Sequence, residues 1–202
     1  RYVAVGKLVP ERMKDVVLGV SEGCRQAGCA LLGGETAEMP GLYSNNDFDL
    51  AGFAVGIIDK KKIVDGSNIS EGDVIIGLSS SGFHSNGYSL LRNVLFNDLN
   101  YKASDIFYDN VTVADALLTP TKIYSKVVQH ITSKVEVKGM VHITGGGFYD
   151  NIPRVLPKDI YAEIDISNVE LPRVIKRFQE VSDIDKHELY RVFNMGVGYI
   201  FV

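Results

Sequence analysis

Three short stretches hold most of the side chains that could do chemistry: GGETAEMPG at 33–41, SSSGFHSNG at 79–87 and TGGGF at 144–148. Each combines glycine with hydroxyl residues, and each follows a β-like run. A glycine-rich turn between strand and helix lets backbone N–H groups converge on an anion. Serine and threonine hydroxyls add donors. Tight turns explain many glycines, but three such loops in 202 residues point to phosphate binding. None has the G-x-x-x-x-G-K-[ST] spacing of a P-loop, and no complete G-x-G-x-x-G is present.

Glu35 and Glu38 lie in the first loop, where a carboxylate repels phosphate unless a cation intervenes. Magnesium bridging the two would reconcile them; a helix cap or a solvated side chain is the plainer alternative. His84, flanked by Ser81, Ser85 and Asn86, is either a satisfied loop histidine or a phosphate or amide contact. A serine nucleophile at Ser80, Ser81 or Ser85 is disfavoured, because G-x-S-x-G is absent and no acid is placed to orient the imidazole. Arg154 follows the triple glycine and suits a bidentate phosphate contact as well as a surface ion pair, while Asn151 holds the turn. His142 alternates along a strand, and His130 and His187 fall on helix surfaces. Four scattered histidines give no metal-site spacing.

The elements that must carry these loops follow from periodicity. Pro10 opens a helix, Met13, Val16, Val17, Val20, Cys24 and Ala27 recur on one face, and Gly28 stops it. Strands are expected at Ala30–Leu32, Phe48–Asp59, Val74–Leu78, Val135–Thr144, Ala162–Ile166 and Val197–Val202. Helices are expected at Tyr88–Phe96, Ala114–Leu118, Lys122–Ser133, Pro172–Val181 and His187–Phe193. This alternation is α/β or α+β. Charged, turn-rich sequence from Lys60 to Asp73 sets a domain boundary near residue 60.

Composition narrows the class. Hydrophobic residues make up 46% and charged residues 23%, enough for one or two packed domains. A net charge of −4 with a pI near 5.6 argues against a nucleic-acid binder. No apolar run approaches the ~20 residues of a membrane span. Cys24 and Cys29, the two cysteines, match neither a zinc pair nor CxxC; Cys24 is expected as a buried free thiol in a reducing cytoplasm. Both ends read as cut mid-element, so the chain is expected to be a piece of a longer one.

In order along the chain, GGETAEMPG, SSGFHSNGYSLLR, LLTPTKIY, HITGGGFYDNIPRVLP and ELYRVFNMGVG resemble the AIR synthetase (phosphoribosylformylglycinamidine cyclo-ligase) family. YVAVGKL also fits, although the family usually carries an acidic residue where this chain has Arg1. The resemblance implies ATP-dependent closure of formylglycinamidine ribonucleotide to aminoimidazole ribonucleotide, a step of purine biosynthesis, with ATP and Mg²⁺ as cofactors. The formyl oxygen is phosphorylated and an internal nitrogen then displaces phosphate, which demands positioning and charge neutralisation more than a protein nucleophile.

By the same resemblance, residues 1–59 are the end of an N-terminal ATP-binding and dimerisation domain. Residues 60–202 are most of a C-terminal domain with a mixed sheet and flanking helices. Glu35 and His84 carry the catalytic roles. Ser80, Ser81, Gly82, Ser85, Asn86 and Gly87, with Thr144, Gly145, Gly146, Gly147, Asn151 and Arg154, hold the substrate and its phosphate. Gly33, Gly34 and Thr36 face the nucleotide cleft, and no side chain is assigned to a metal. The family's Asp-Gly-Val-Gly-Thr-Lys motif is absent, so this piece alone is expected to be inactive, its parent a cytoplasmic homodimer with small-molecule partners. A sister synthetase of the superfamily is one rival. A non-catalytic phosphate-binding module is the other.

Overall fold

The computed structural model describes residues 1–202. Its elements run β1 (Tyr2–Val5), α1 (Pro10–Ala27), β2 (Glu35–Glu38), β3 (Phe48–Ala51), β4 (Ile76–Ser79), α2 (Tyr88–Arg92), β5 (Ile106–Tyr108), β6 (Val111–Thr112), α3 (Val113–Leu117), α4 (Ser125–Thr132), β7 (Met140–His142), α5 (Gly147–Asn151), α6 (Arg173–Val181), α7 (Lys186–Val192) and β8 (Val197–Phe201). Strands and helices are both present throughout, as α/β patterning requires. The chain divides into two compact units, one of residues 1–63 with 123–130, the other of 64–122 with 131–202.

In the first unit a mixed three-stranded sheet has the order β2-β1-β3, with β1 parallel to β2 and antiparallel to β3. Val3, Val5 and Met13 form its buried core, with Val16 packed against them. The helix α1 has the expected limits: Pro10 at its first turn, and Gly28 at φ 73° beyond its end. Only Met13 of the apolar stripe is fully buried, and Cys24 is half-buried rather than buried. Two strand expectations change here. Ala30–Leu32 lies outside the ladder, which begins at Glu35 opposite Tyr2. The expected strand at 48–59 stops at Ala51, because Ala51 pairs with Tyr2 and β1 offers no partner beyond it. Past that point Val55 and Ile57 are fully exposed.

The second unit is built on a three-stranded sheet, β4-β8-β7, antiparallel throughout; the mixed pairing belongs to the first unit. Because β4 and β7 both run against β8, they run parallel to each other. Their C-terminal ends therefore emerge on one edge of the sheet, where β8 begins. One core gathers Phe83, Leu91, Leu95, Phe107, Phe178, Leu189 and Phe193 under α2, α3, α6 and α7. A smaller one gathers Val141, Ile143, Phe148, Ile152 and Ile200. The helix at Tyr88 continues past Arg92 as a π-helical turn, Asn93–Asp98.

Ladder length again falls short of the apolar run at β7, which keeps only Met140–His142 of the expected 135–144. Ala162–Ile166 alternates between exposed and half-buried positions but joins no ladder. The hairpin β5–β6 was not anticipated; Asp109 and Asn110 turn it at φ 42° and 66°, the positive values a two-residue type I′ turn needs. No helix is long and apolar enough to cross a membrane.

Candidate functional site

The common edge of β4, β7 and β8 brings three loops together: Ser80–Gly87 after β4, Thr144–Gly146 after β7, and Asn194–Gly196 before β8. The first two share a device. A Gly-Phe step, Gly82-Phe83 within the first and Gly147-Phe148 directly after the second, drives a phenylalanine into a core. Phe83 packs edge-on to Phe178 at 5.7 Å and against Phe193 at 4.9 Å between ring centroids. Phe148 sits in the smaller core, 6.0 Å from the Tyr190 ring. Fully burying such a ring is worth roughly 1.5–3 kcal/mol, so each loop is anchored at one point.

Buried asparagines fix the rest. The Asn151 amide donates to the carbonyls of Gly147 at 2.7 Å, Gly145 at 3.2 Å and Thr144 at 3.3 Å, and its Oδ1 accepts from the Thr144 hydroxyl at 3.0 Å. Asn194, 2% exposed, donates to the Gly82 carbonyl at 2.7 Å and accepts from Gly196 N–H at 3.0 Å. Gly196 in turn accepts from Ser80 N–H at 2.9 Å. Asn194 had no place in the sequence reading, although an asparagine between Phe193 and Met195 in an apolar run was a signal for a buried backbone clamp.

His84 is 3% exposed and left-handed at φ 58°, a region histidine tolerates better than most residues. Its Nε2 accepts a 3.2 Å hydrogen bond from Ser81 N–H, which requires the unprotonated nitrogen. Burial, then His142, then Lys122 push its pKa down to about 4. It is therefore neutral at pH 7. The His142 ring lies 6.4 Å away.

The loop hydroxyls are mostly engaged. Ser81 Oγ donates to the Pro120 carbonyl and Ser85 Oγ pairs with Thr121 Oγ1, both at 2.8 Å. Lys122 Nζ donates to Ser79 O and Ser79 Oγ at 3.1 Å. The segment 119–122 thus straps the loop, a contribution the residue-by-residue reading missed. Ser80 Oγ is the exception, buried with no hydrogen-bond partner.

The glycines divide by cause. A β-carbon on Gly147 (φ 57°) would strike the Tyr190 carbonyl, and one on Gly146 (φ 96°) would strike the Asp150 side chain. A β-carbon on Gly87 (φ 75°) would strike the Phe193 ring. Packing demands those three. A β-carbon on Gly145 would meet only Asn86 Oδ1, at an ordinary 3.7 Å, so that position has room to spare and Asn86 lies beside it. The backbone N–H groups of Gly145 and Gly146 make no hydrogen bond within the chain. Gly82 (φ 144°) faces Val174. Arg154 is exposed on a short 3₁₀ turn, Ile152–Val155, with no ion pair.

In the first unit, Gly34 is required by the Arg1 backbone, which a β-carbon would meet at 2.5 Å, whereas Gly33 has open space. The Arg1 guanidinium reaches Thr36 Oγ1 at 3.4 Å. The Glu38 carboxylate accepts from Leu8 N–H at 2.8 Å; Leu8 precedes α1, so Glu38 braces the approach to that helix and does not cap it. The Glu35 side chain is exposed and makes no hydrogen bond or ion pair. No group of three or more His, Cys, Asp or Glu side chains converges as a metal set.

A family model described as AIR synthase related protein, N-terminal domain, matches residues 1–58, and one for the C-terminal domain matches 70–202. A phosphoribosylformylglycinamidine cyclo-ligase of Finegoldia magna is 55% identical over 201 residues, covering 100% of this chain and 58% of the relative. One from Bacillus cereus is 53% identical over 200 residues, with 98% and 58% covered. One from Carboxydothermus hydrogenoformans is 52% identical over 202 residues, with 100% and 59% covered. The chain spans about 58% of the length of such relatives.

Proposed function

The chain belongs to the AIR synthase related protein family, and from that premise we propose that it is part of an ATP-dependent cyclo-ligase closing formylglycinamidine ribonucleotide to aminoimidazole ribonucleotide. The observation that carries the reading is the pair of unengaged N–H groups at Gly145 and Gly146, in a loop stapled by Asn151 and touched by Asn86. Backbone donors held in place before the ligand arrives suit a phosphate or a developing oxyanion, because they need no reorganisation during the reaction.

Gly145, Gly146 and Asn86 contact the substrate, and Ser80 Oγ is the hydroxyl reserved for it. Ser81, Gly82, Ser85, Gly87, Thr144, Gly147 and Asn151 hold the loops in shape. His84 is a neutral positioning residue for Ser81 rather than a charged phosphate ligand. Arg154 is available for a carboxylate or phosphate. In the first unit Gly33, Gly34 and Thr36 serve the nucleotide, and domains of 1–59 and 60–202 divide the work. Glu35 offers an unengaged carboxylate, of which Mg²⁺ bound mainly through phosphates and water takes one or two. Mg²⁺ would neutralise phosphate charge; the chain's own part is to orient the ribonucleotide. ATP as co-substrate, a homodimeric parent and a cytoplasmic site belong to the same proposal.

The test has two parts. Calorimetry measures formylglycinamidine ribonucleotide binding to the 202-residue chain, and a polypeptide of the relatives' full span is assayed with Mg-ATP for aminoimidazole ribonucleotide. Product from the wild type, lost in a folded Gly145→Asp variant, supports the proposal. A folded full-span protein giving no product rejects it in favour of a sister synthetase or a binding module.

A further inference from the structure

The two cysteines lie at one defined structural motif, the C-terminus of α1. Gly28 adopts the left-handed conformation after the last helical residue, its N–H donates to the Arg25 carbonyl at 3.3 Å, and Cys29 N–H donates to the Cys24 carbonyl at 3.0 Å. This crossed pair of bonds is a Schellman closure. Its accompanying side-chain contact joins the residue three positions inside the helix end to the second residue outside it. In most helices two apolar side chains make that contact. Here the two positions are Cys24 and Cys29.

The closure also sets the separation of the cysteine backbones. A 3.0 Å bond from Cys29 N–H to Cys24 O brings the α-carbons into the roughly 4.4–6.8 Å range that a disulfide spans. Both thiols are free, Cys29 exposed and Cys24 half-buried. Burial, and after it the Cys29 thiol beside it, raises the Cys24 pKa, as expected for neighbouring thiols that are not bonded. The helix end that carries them is itself tied down, because the Ala27 carbonyl accepts from Ser125 Oγ at 2.9 Å.

We propose that Cys24 and Cys29 are a redox modification site, forming a reversible intrachain disulfide by exchange with a low-molecular-weight disulfide of the glutathione class. The exposed Cys29 thiol, deprotonated, attacks one sulfur of the oxidant, forming a mixed disulfide and expelling one thiolate. The Cys24 thiolate then attacks Cys29 Sγ, forming the Cys24–Cys29 bond and expelling the second thiolate. Two protein thiols are oxidised, one disulfide is reduced to two thiols, and the two protons pass to the departing thiolates. The site is independent of the loops around Gly145, so its outcome bears on neither the substrate nor the reaction.

The test incubates the folded chain at graded ratios of oxidised to reduced glutathione, followed by acid quench, alkylation and peptide mass spectrometry. The expected result is a peptide spanning Cys24–Cys29 that has lost two hydrogens, with loss of both alkylatable thiols and their recovery on adding dithiothreitol. In Cys24→Ser the intermediate is trapped, and Cys29 carries a stable glutathione adduct instead. A wild-type chain that accumulates the same Cys29 adduct as Cys24→Ser overturns the proposal. So does a wild-type chain that forms only disulfide-linked dimers or stays reduced throughout.

Discussion

The carbonyl oxygen of Tyr190, on α7, occupies the space where a β-carbon on Gly147 would stand. The third glycine of the triple is thus required by a helix and not by a ligand. Gly147→Ala meets backbone that cannot swing aside and strains a φ of 57°, so it is expected to cost roughly 2–4 kcal/mol of stability. Gly145→Ala, with open space around it, is expected to stay within about 0.5 kcal/mol of wild type while weakening ribonucleotide binding. Urea melts and calorimetry on both variants separate packing from contact; equal stabilities would undo that division.

Asn194 clamps one loop to another through its buried amide. Asn194→Ala strips a donor from Gly82 O and an acceptor from Gly196 N–H, leaving both backbone groups without their partner. The expected loss is about 2–3 kcal/mol. Hydrogen exchange should show faster exchange at Ser80 and Gly196, whereas amides in α1 stay unchanged. A variant as stable as wild type would mean that water replaces the clamp.

Ser80 points the other way. Its hydroxyl is buried without a partner, so Ser80→Ala removes a desolvated group and is expected to leave stability unchanged or raise it by up to about 1 kcal/mol. If the hydroxyl is reserved for substrate, ribonucleotide affinity falls about tenfold, the weight of one hydrogen bond. Lower stability with unchanged affinity would assign Ser80 to the fold alone.

His84 supplies a pH signature. Its pKa is pushed down from 6.5 to about 4 in the folded chain, so between those values the unfolded chain binds the extra proton. Stability is therefore unaffected above pH 6.5 and falls as pH drops through that window, by up to about 3 kcal/mol. His142, lowered by burial, acts in the same sense. His84→Asn keeps the left-handed backbone and cannot titrate, so its stability should fall less between pH 7 and pH 4.5. Parallel profiles for the two proteins would show that the buried imidazole accepts a proton without loss.

Sequence alone located α1 to the residue, because Pro10 and Gly28 act locally. It also located the loops at 79–87 and 144–148, whose glycine and hydroxyl content is local; the first expected loop, 33–41, instead contains the strand Glu35–Glu38. Strands were drawn too long wherever the apolar run exceeded the partner: the stretch from Phe48 ends at Ala51 because β1 has only four residues to pair. The hairpin at Asp109-Asn110 carries a weaker local signal than the Asn-Gly or Asp-Gly pairs that mark most such turns, because neither residue is glycine. Asn194 and the 119–122 strap escaped for a different reason. Their bonds join residues far apart in the chain, so local sequence can flag a clamp, as at Asn194, without showing what it holds.

The sheet order β4-β8-β7 has a consequence for synthesis on the ribosome. The two glycine loops leave strands that never pair with each other; only β8 brings them together. Its clamp, Asn194, reaches Gly82 over a sequence separation of 112. Contacts of that separation form slowly and late. While the nascent chain ends before β8, β4 and β7 each present an unpaired edge, the kind of surface that invites aggregation or a chaperone. The proposed ribonucleotide site cannot form in any earlier intermediate, so on that proposal ligand added during translation can stabilise only chains that have already emerged past Gly196.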